Sequence, residues 1–334
     1  MKILITGSAG FIGSNFVKIA LEKTDHEIIG LDCLNYASDL KNLDFKSNRF
    51  NFIKGDIGDA NLIQSIEYDM IINFAAETHV TRSINNSEEF INNDIVQLDK
   101  LLRTALFNKK LKVFIQISTS EVYGSSSDGL KMSEKHPLNP MSPYAAAKCG
   151  ADRLVYSYSK TYDMPALIIR PFNNYGPKQH LEKLIPRIIC SGILNKEFNL
   201  HGDGLASRDY IHVFDTCNAI LKLIDHYSNI NEIETYNIGS DTSISINDLL
   251  KKIQNKFNGN IKFKKIQDRP GQVNLHLSDS LKFRKKFNWK PEIKIDHGIS
   301  ETVNWYKNNF DWWENKFKFS EIRVVMPNGK IFFH

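Results

Sequence analysis

One short passage near the amino end limits the architecture more than any other. Lys2-Ile3-Leu4-Ile5-Thr6 runs directly into Gly7-Ser8-Ala9-Gly10-Phe11-Ile12-Gly13, and a helical pattern begins at about Ser14. A short continuous apolar run is what a strand buried on both faces of a parallel sheet requires. The Gly-x-x-Gly-x-x-Gly spacing lets the backbone turn tightly and approach a pyrophosphate at a helix N-terminus. There, free N–H groups and the helix dipole favour an anion. A glycine triplet alone is a weak signal; its place between a strand and a helix gives it weight. Gly7, Gly10, Phe11, Ile12 and Gly13 are therefore expected to hold a dinucleotide.

The following segments repeat the strand-then-helix alternation. Glu27-Ile28-Ile29-Gly30-Leu31 reads as a second strand ending at Asp32. An acidic residue about 20 residues after the glycines accepts hydrogen bonds from the adenosine ribose hydroxyls and repels a 2′-phosphate, which favours NAD over NADP. A turn or capping aspartate is the competing account. Residues 49–57 read as a third strand that places Asp56 at the adenine edge. Residues 69–76 read as a fourth, with Ala75 and Ala76 small enough for backbone to pass close to the cofactor. Glu88 to Asn108 reads as one long amphipathic helix, its apolar stripe serving either the core or a dimer face. Strands Lys112–Ile117 and Ala166–Arg170 follow. The pattern predicts an α/β fold with a doubly wound parallel sheet, of the Rossmann type.

The chemistry concentrates between Ile117 and Lys148. Ile117-Ser118-Thr119-Ser120-Glu121-Val122-Tyr123-Gly124 brings hydroxyls and a carboxylate to a strand end, and Tyr144-Ala145-Ala146-Ala147-Lys148 opens a helix. Tyr and Lys four residues apart share a helical face. A cation beside a phenol favours the phenolate, so Tyr144 is expected to act as a base below its free pKa of about 10. Beside an NAD site this means alcohol oxidation, with Tyr144 taking the hydroxyl proton and Thr119 donating to the forming carbonyl oxygen. Glu121 adds more. Simple oxidation needs no carboxylate there, whereas removing a proton α to a new ketone does; an exposed strand-end Glu is the bland alternative.

The character changes at Pro171. The turn-rich segment Pro171–Pro177 opens a region that presents polar groups beside short strands, with Glu182, Lys183 and Leu184 in the segment after it. The expected division is a cofactor domain at residues 1–170, with residues of about 207–240 returning to it. A smaller α/β substrate-binding region follows at 171–316, and then a tail at 317–334. In that tail Ile322–Met326 and Lys330–Phe333 flank Pro327-Asn328-Gly329 as a β-hairpin, either a flap or an oligomer contact.

The totals close off other classes. A net charge of +5 with scattered Lys residues does not argue for nucleic acid. Four cysteines, Cys33, Cys149, Cys190 and Cys217, lie far apart without a Cys-x-x-Cys, so reduced thiols and no metal site are expected. The run Ile3–Ile5 is too short for a signal segment or a membrane span, so a cytoplasmic protein with no membrane partner is expected.

Taken together, the segments Gly7–Gly13, Asp32–Leu40, Ala75–Ile84, Ser118–Gly124, Tyr144–Lys148, Asn173–Pro177, Glu182–Pro186 and Asp268–Gly271 resemble the extended short-chain dehydrogenase/reductase family. Within it they are most similar to the NAD-dependent sugar-nucleotide 4,6-dehydratases, and nearest in pattern to dTDP-glucose 4,6-dehydratases, over about residues 1–310. The resemblance implies a homodimer and a nucleotide-diphosphate sugar as substrate. It adds Asn35 and Ile57 to the cofactor contacts and places His79, Glu182, Lys183, Leu184, Asn174, Arg208, Asn237 and Arg269 around the substrate. It also implies a cycle: oxidation at C4, proton removal at C5 by Glu121, loss of water from C6, and hydride return to C6.

Three departures stand out. The dTDP-glucose enzymes carry an acidic Asp between Thr and Glu; this chain has Ser120. Thr-Ser-Glu occurs instead in GDP-mannose 4,6-dehydratases, other nucleotide-sugar dehydratases and UDP-glucuronate decarboxylases. The acid for water loss is then either protonated Glu121 or Ser120 relaying a proton. Asp94 stands where the family has Asn, and Gln272-Val273-Asn274-Leu275-His276 replaces an Arg-rich run. Decarboxylation of UDP-glucuronate is the alternative activity, and sugar epimerisation a weaker one.

Overall fold

The computed structural model describes residues 1–126, 129–229, 232–268, 270–317, 322–325, 329 and 331–333. Its centre is a seven-stranded parallel sheet among the described residues. Six strands are β1 (Lys2–Thr6), β2 (Glu27–Asp32), β3 (Phe50–Lys54), β4 (Met70–Asn73), β5 (Val113–Ile117) and β6 (Ala166–Pro171). The seventh, Glu234–Ile238, lies outside β6, and the order across the sheet is Glu234–Ile238, β6, β5, β4, β1, β2, β3. β1 pairs with both β2 and β4, so the strand order reverses beside it. The carboxyl ends of β1 and β4 therefore diverge into a crevice, where open α/β sheets bind ligands.

The apolar runs explain the sheet. Ile3, Leu4 and Ile5 are fully buried, alternating between the two cores that sandwich β1. Each such side chain contributes roughly 1.5–3 kcal/mol of burial. Helix α1 (Phe11–Lys23) packs with the helix Val213–His226 on one face. The helices Leu98–Leu106 and Pro143–Tyr162 cover the other. A third core, built on Ile188, Leu249, Ile299, Tyr306 and Trp313, supports the later part of the chain. The four cysteines are free thiols. Among the described residues no cluster of His, Cys, Asp or Glu could hold a metal ion, and no helix is long and apolar enough to cross a membrane.

Boundaries differ from the sequence reading in instructive places. Helix α1 starts at Phe11, inside the glycine motif, because Gly10 is already its N-cap. β3 and β4 are shorter than expected, and the residues after them, Gly55–Ile57 and Phe74–Ala76, line the crevice. The long helix expected at 88–108 is broken. Ser87–Ile91 and Leu98–Leu106 are α-helical, but Asn92–Gln97 between them is a π-turn. Such a wider turn alters which residues face inward and is found mostly at functional sites; here it buries the Asp94 carboxyl. The tail forms the expected antiparallel hairpin, Arg323–Val325 against Ile331–Phe333, although Pro327 and Asn328 lie outside the described residues. Its first strand packs on the helix Val80–Asn85, with Ile322 and Val324 buried.

Candidate active site

The sheet places the two halves of the central stretch against each other. β5 ends at Ile117, and Thr119 then caps a 3-10 turn, Ser120–Tyr123, by accepting the Glu121 N–H at 3.2 Å. The helix Pro143–Tyr162 starts opposite. Ser142 caps it by accepting the Ala145 N–H at 3.1 Å, and Pro143 occupies its first turn. Tyr144 and Lys148 therefore stand on the first turns of a rigid helix and face the strand end. Tyr144 is hydrogen-bonded to Thr119, and the Phe90 ring meets it edge-on at 6.2 Å.

The electrostatics differ from the sequence expectation. Burial and the nearby Glu121 carboxylate push the Tyr144 phenol well above its ordinary value, and the Thr119 hydrogen bond only partly opposes them. The Lys148 ammonium points elsewhere, donating to the Ile117 carbonyl oxygen at 2.9 Å. Burial pulls its pKa down, against Asp94 and Asp152. The lysine thus does not by itself turn Tyr144 into a phenolate here. Spacing predicted a shared face correctly, but which acceptor the ammonium reaches depends on where β5 ends.

At the glycine loop, Gly7 has φ +67°, and a Cβ there would sit 2.6 Å from the Ala75 nitrogen. A Cβ on Gly13 would lie 2.2 Å from the Gly7 carbonyl oxygen. The loop is thus pressed between β4 and α1, as a close-approach phosphate turn demands. Asp32 is buried and accepts the Ala9 N–H at 2.9 Å on one oxygen and the Leu34 N–H at 2.8 Å on the other. A carboxylate offers about four acceptor positions, so lone pairs remain for ribose hydroxyls. Gly10, Phe11, Ile12, Asn35, Asp56, Ile57, Ala75 and Ala76 line the same cavity as Gly7, Gly13 and Asp32. The donor set fits a dinucleotide.

That cavity is continuous with the catalytic stretch and the later chain. Thr119, Glu121, Tyr144, Lys148, His79, Asn174, Glu182, Lys183, Leu184 and Arg208 all line it. Asn174 presents a buried Oδ1 that has no partner among the described residues, an acceptor suited to a ligand hydroxyl. Glu182 is already engaged: Arg82 Nε donates to it at 2.9 Å and the Tyr36 hydroxyl at 3.3 Å. It holds its loop in place more than it offers a free carboxylate. Lys183 donates to the Thr78 carbonyl oxygen.

Two of the expected residues fall elsewhere. Ser120 is buried and its hydroxyl does not line the cavity, because the turn points Thr119 and Glu121 inward and the residue between them away. Asn237 is fully buried inside the sheet and does not line it either. Its side chain donates to the Met132 carbonyl oxygen at 2.9 Å and accepts the Tyr123 hydroxyl at 2.7 Å. Arg269 lies outside the described residues.

Other cavity residues carried no role in the sequence reading. Glu77 ties the two halves: Asn35 and Asn93 donate to its Oε1 at 2.8 and 3.1 Å, and its own N–H goes to Asp94 at 2.8 Å. Gln179 presents a second buried, unpartnered acceptor, its Oε1. Glu77 sits within the Ala-Ala-Glu-Thr-His segment, which was the available signal; nothing in the local sequence marks Gln179.

Comparison with known proteins narrows what this arrangement is. The family model described as GDP-mannose 4,6 dehydratase matches residues 4–302. The low-salt glycan biosynthesis protein Agl12 of Haloferax volcanii is 41% identical over 315 residues, covering 92% of this chain and 98% of that protein. The dTDP-glucose 4,6-dehydratase of an Actinoplanes species is 37% identical over 326 residues, covering 94% and 100%. Among solved structures, DesIV, a dTDP-glucose 4,6-dehydratase from Streptomyces venezuelae with NAD and TYD bound, matches with a TM-score of 0.89 and 34% identity. That match covers 95% of this chain and 100% of DesIV. A UDP-glucuronic acid 4-epimerase from Bacillus cereus shares the fold at a TM-score of 0.85 but with 28% identity. Backbone similarity alone therefore does not separate the chemistries, and the family model spans most of the residues: the chain belongs to the GDP-mannose 4,6 dehydratase family.

Proposed function

We propose that the chain is an NAD-dependent nucleotide-sugar 4,6-dehydratase, a lyase that converts a nucleotide-diphosphate sugar to its 4-keto-6-deoxy form. The observation that carries this reading is Glu121. Its carboxylate lines the cavity on the turn capped by Thr119, which is itself bonded to Tyr144. Oxidation and carbanion chemistry thus meet at one strand end.

The Gly7–Gly13 loop, Asp32, Ala75 and Ala76 would hold NAD, which when bound supplies the hydride acceptor for C4 and the hydride donor for C6. Tyr144 would take the C4 hydroxyl proton as the phenolate, a form that burial disfavours and that the positive charge of a bound NAD would restore, and Thr119 donates to the oxygen that becomes the carbonyl. The new ketone acidifies the C5 proton, and Glu121 removes it. Asn174 and Gln179 offer their buried acceptors to sugar hydroxyls, and Arg208 and Lys183 supply positive charge for the diphosphate. Because Ser120 points away from the cavity, Glu121 is left to return the proton to the departing C6 oxygen.

Residues 1–170, with part of 207–240, then serve the cofactor. Residues 171–316 serve the substrate, and the tail strand Arg323–Val325 braces the helix Val80–Asn85. Homodimerisation through the helices near residues 90–107 and 144–160 agrees with the exposure of Ile91, Val96, Phe107 and Tyr156 along them. A cytoplasmic location agrees with free thiols.

The test is a product-resolved screen of the NAD-loaded protein against dTDP-glucose, UDP-glucose, UDP-GlcNAc and GDP-mannose. A 4-keto-6-deoxy product from at least one is expected, and Glu121→Gln abolishes it while NAD binding persists. Carbon dioxide from UDP-glucuronate, with no such product from the four sugars, would replace dehydration with decarboxylation.

A further inference from the structure

The Ser120 substitution leaves the site with one carboxylate where relatives of the dTDP-glucose type resemble a two-acid pair, and the structure puts an unexpected group behind that carboxylate. His276 is fully buried. Its Nε2 lies 2.8 Å from the Gly124 carbonyl oxygen. A carbonyl oxygen only accepts, so Nε2 carries the proton. The other nitrogen, Nδ1, is buried with no hydrogen-bond partner among the described residues and faces Glu121 Oε1 at 3.8 Å. The Phe172 ring closes one side, 6.1 Å away between centroids. Burial keeps the imidazole on the neutral side, with the Arg208 charge acting in the same direction and Glu121 opposing. A lone pair held behind the proposed base, with its tautomer set by a backbone carbonyl, is the arrangement of an orienting histidine.

Resting on the dehydratase reading, we propose that His276 is a positioning residue for the acid half of the elimination. Glu121 takes the C5 proton. The electron pair of that C–H bond forms the C5–C6 double bond, and the C6–O bond breaks. The departing oxygen needs one proton to leave as water, and Glu121, on the cavity wall, holds the proton it has just collected. His276 Nδ1 accepts a hydrogen bond from the newly formed Glu121 carboxylic acid, which keeps that proton within the pair until it passes to the C6 oxygen. Protons balance, and Glu121 ends as a carboxylate.

The test uses the NAD-loaded enzyme with whichever of dTDP-glucose, UDP-glucose, UDP-GlcNAc and GDP-mannose the wild type converts, and with the 6-deoxy-6-fluoro analogue of that sugar nucleotide. Fluoride leaves without a proton, so the analogue bypasses the acid step. His276→Gln keeps an amide donor for Gly124 and removes Nδ1; His276→Leu removes both. In His276→Gln we expect unchanged NAD binding, unchanged NADH formation from C4 oxidation, water loss slower by on the order of 10²-fold, and fluoride loss near the wild-type rate. His276→Leu should show the same split if it folds. Equal loss of oxidation, water release and fluoride release would assign His276 a structural role and overturn the proposal, as would wild-type water loss in His276→Gln. If the wild type converts none of the four sugars, the dehydratase reading falls first, and the assignment with it.

Discussion

Removing the Asp152 charge should destabilise the active site and the protein together. Asp152 lies on the helix that carries Tyr144 and Lys148, and it is completely buried. Arg170 on β6 grips it with two hydrogen bonds, Nε to Oδ2 at 2.8 Å and Nη2 to Oδ1 at 2.9 Å, and the Arg170 side chain is only 3% exposed. Arg170 Nη1 continues to the Tyr123 hydroxyl at 2.9 Å, and that hydroxyl donates to Asn237. Tyr123 closes the same 3-10 turn that presents Glu121. The network therefore fixes catalytic helix, catalytic turn and two sheet strands against one another.

Asp152→Asn leaves the Arg170 guanidinium buried without a counter-charge, and breaking one partner of a buried pair costs about 3–5 kcal/mol. Arg170→Met should cost less than Asp152→Asn. Asp152 keeps a second cation, Arg153, whose Nε donates to Oδ1 at 2.9 Å from a side chain 41% exposed. Combining the two changes should recover part of the loss, because the uncompensated guanidinium is gone while the amide at position 152 loses its Arg170 partner. Burial alone would raise the Asp152 carboxyl, but the hydrogen bonds and charge of Arg170, with Arg153, hold it below its usual range. A depressed folded pKa contributes stability above the unfolded value of about 3.9 and loses it as pH falls below that. The assay is urea unfolding of the three variants at neutral pH and at pH values below about 4, with kcat measured in parallel. A loss under about 1 kcal/mol for Asp152→Asn, or a double variant no more stable than the single, would refute the reasoning.

Ser120→Ala should lower kcat by no more than a few fold, since its hydroxyl does not line the cavity; a loss near 10²-fold, the range of an acid catalyst, would restore it as the proton donor. Burial raises the Asp94 carboxyl to about 7, outweighing Lys148 and the Glu77 N–H. A raised folded pKa means stability falls as pH climbs from about 4 toward 7, by up to about 4 kcal/mol. Asp94→Asn should flatten that fall, and a Tm-versus-pH slope identical to wild type would contradict it. Gly7→Ala places a Cβ 2.6 Å from the Ala75 nitrogen at φ +67°. It should cost about 1–3 kcal/mol of stability and weaken NAD binding, read by fluorescence titration.

Local sequence determined the sheet and the cofactor half. Short apolar runs, the glycine spacing and the Asp32 position act over one strand and one turn, where the sequence partners are also the spatial partners. The same holds for Thr119, Glu121, Tyr144 and Lys148, whose local spacing set the faces they share. Tertiary structure decided the rest, because the outcomes depend on groups far apart in the chain. Lys148 points at Ile117, not at the phenol, because of where β5 stops. Asn237 closes a buried network with Tyr123, 114 residues away. The π-turn that buries Asp94 interrupts a stripe whose apolar period read as one unbroken helix. His276, 155 residues beyond Glu121 by numbering, stands behind its carboxylate only because the loop of residues 272–280 returns across Gly124. Periodicity and motif spacing report what neighbours in sequence do, and a proton path is set by neighbours in space.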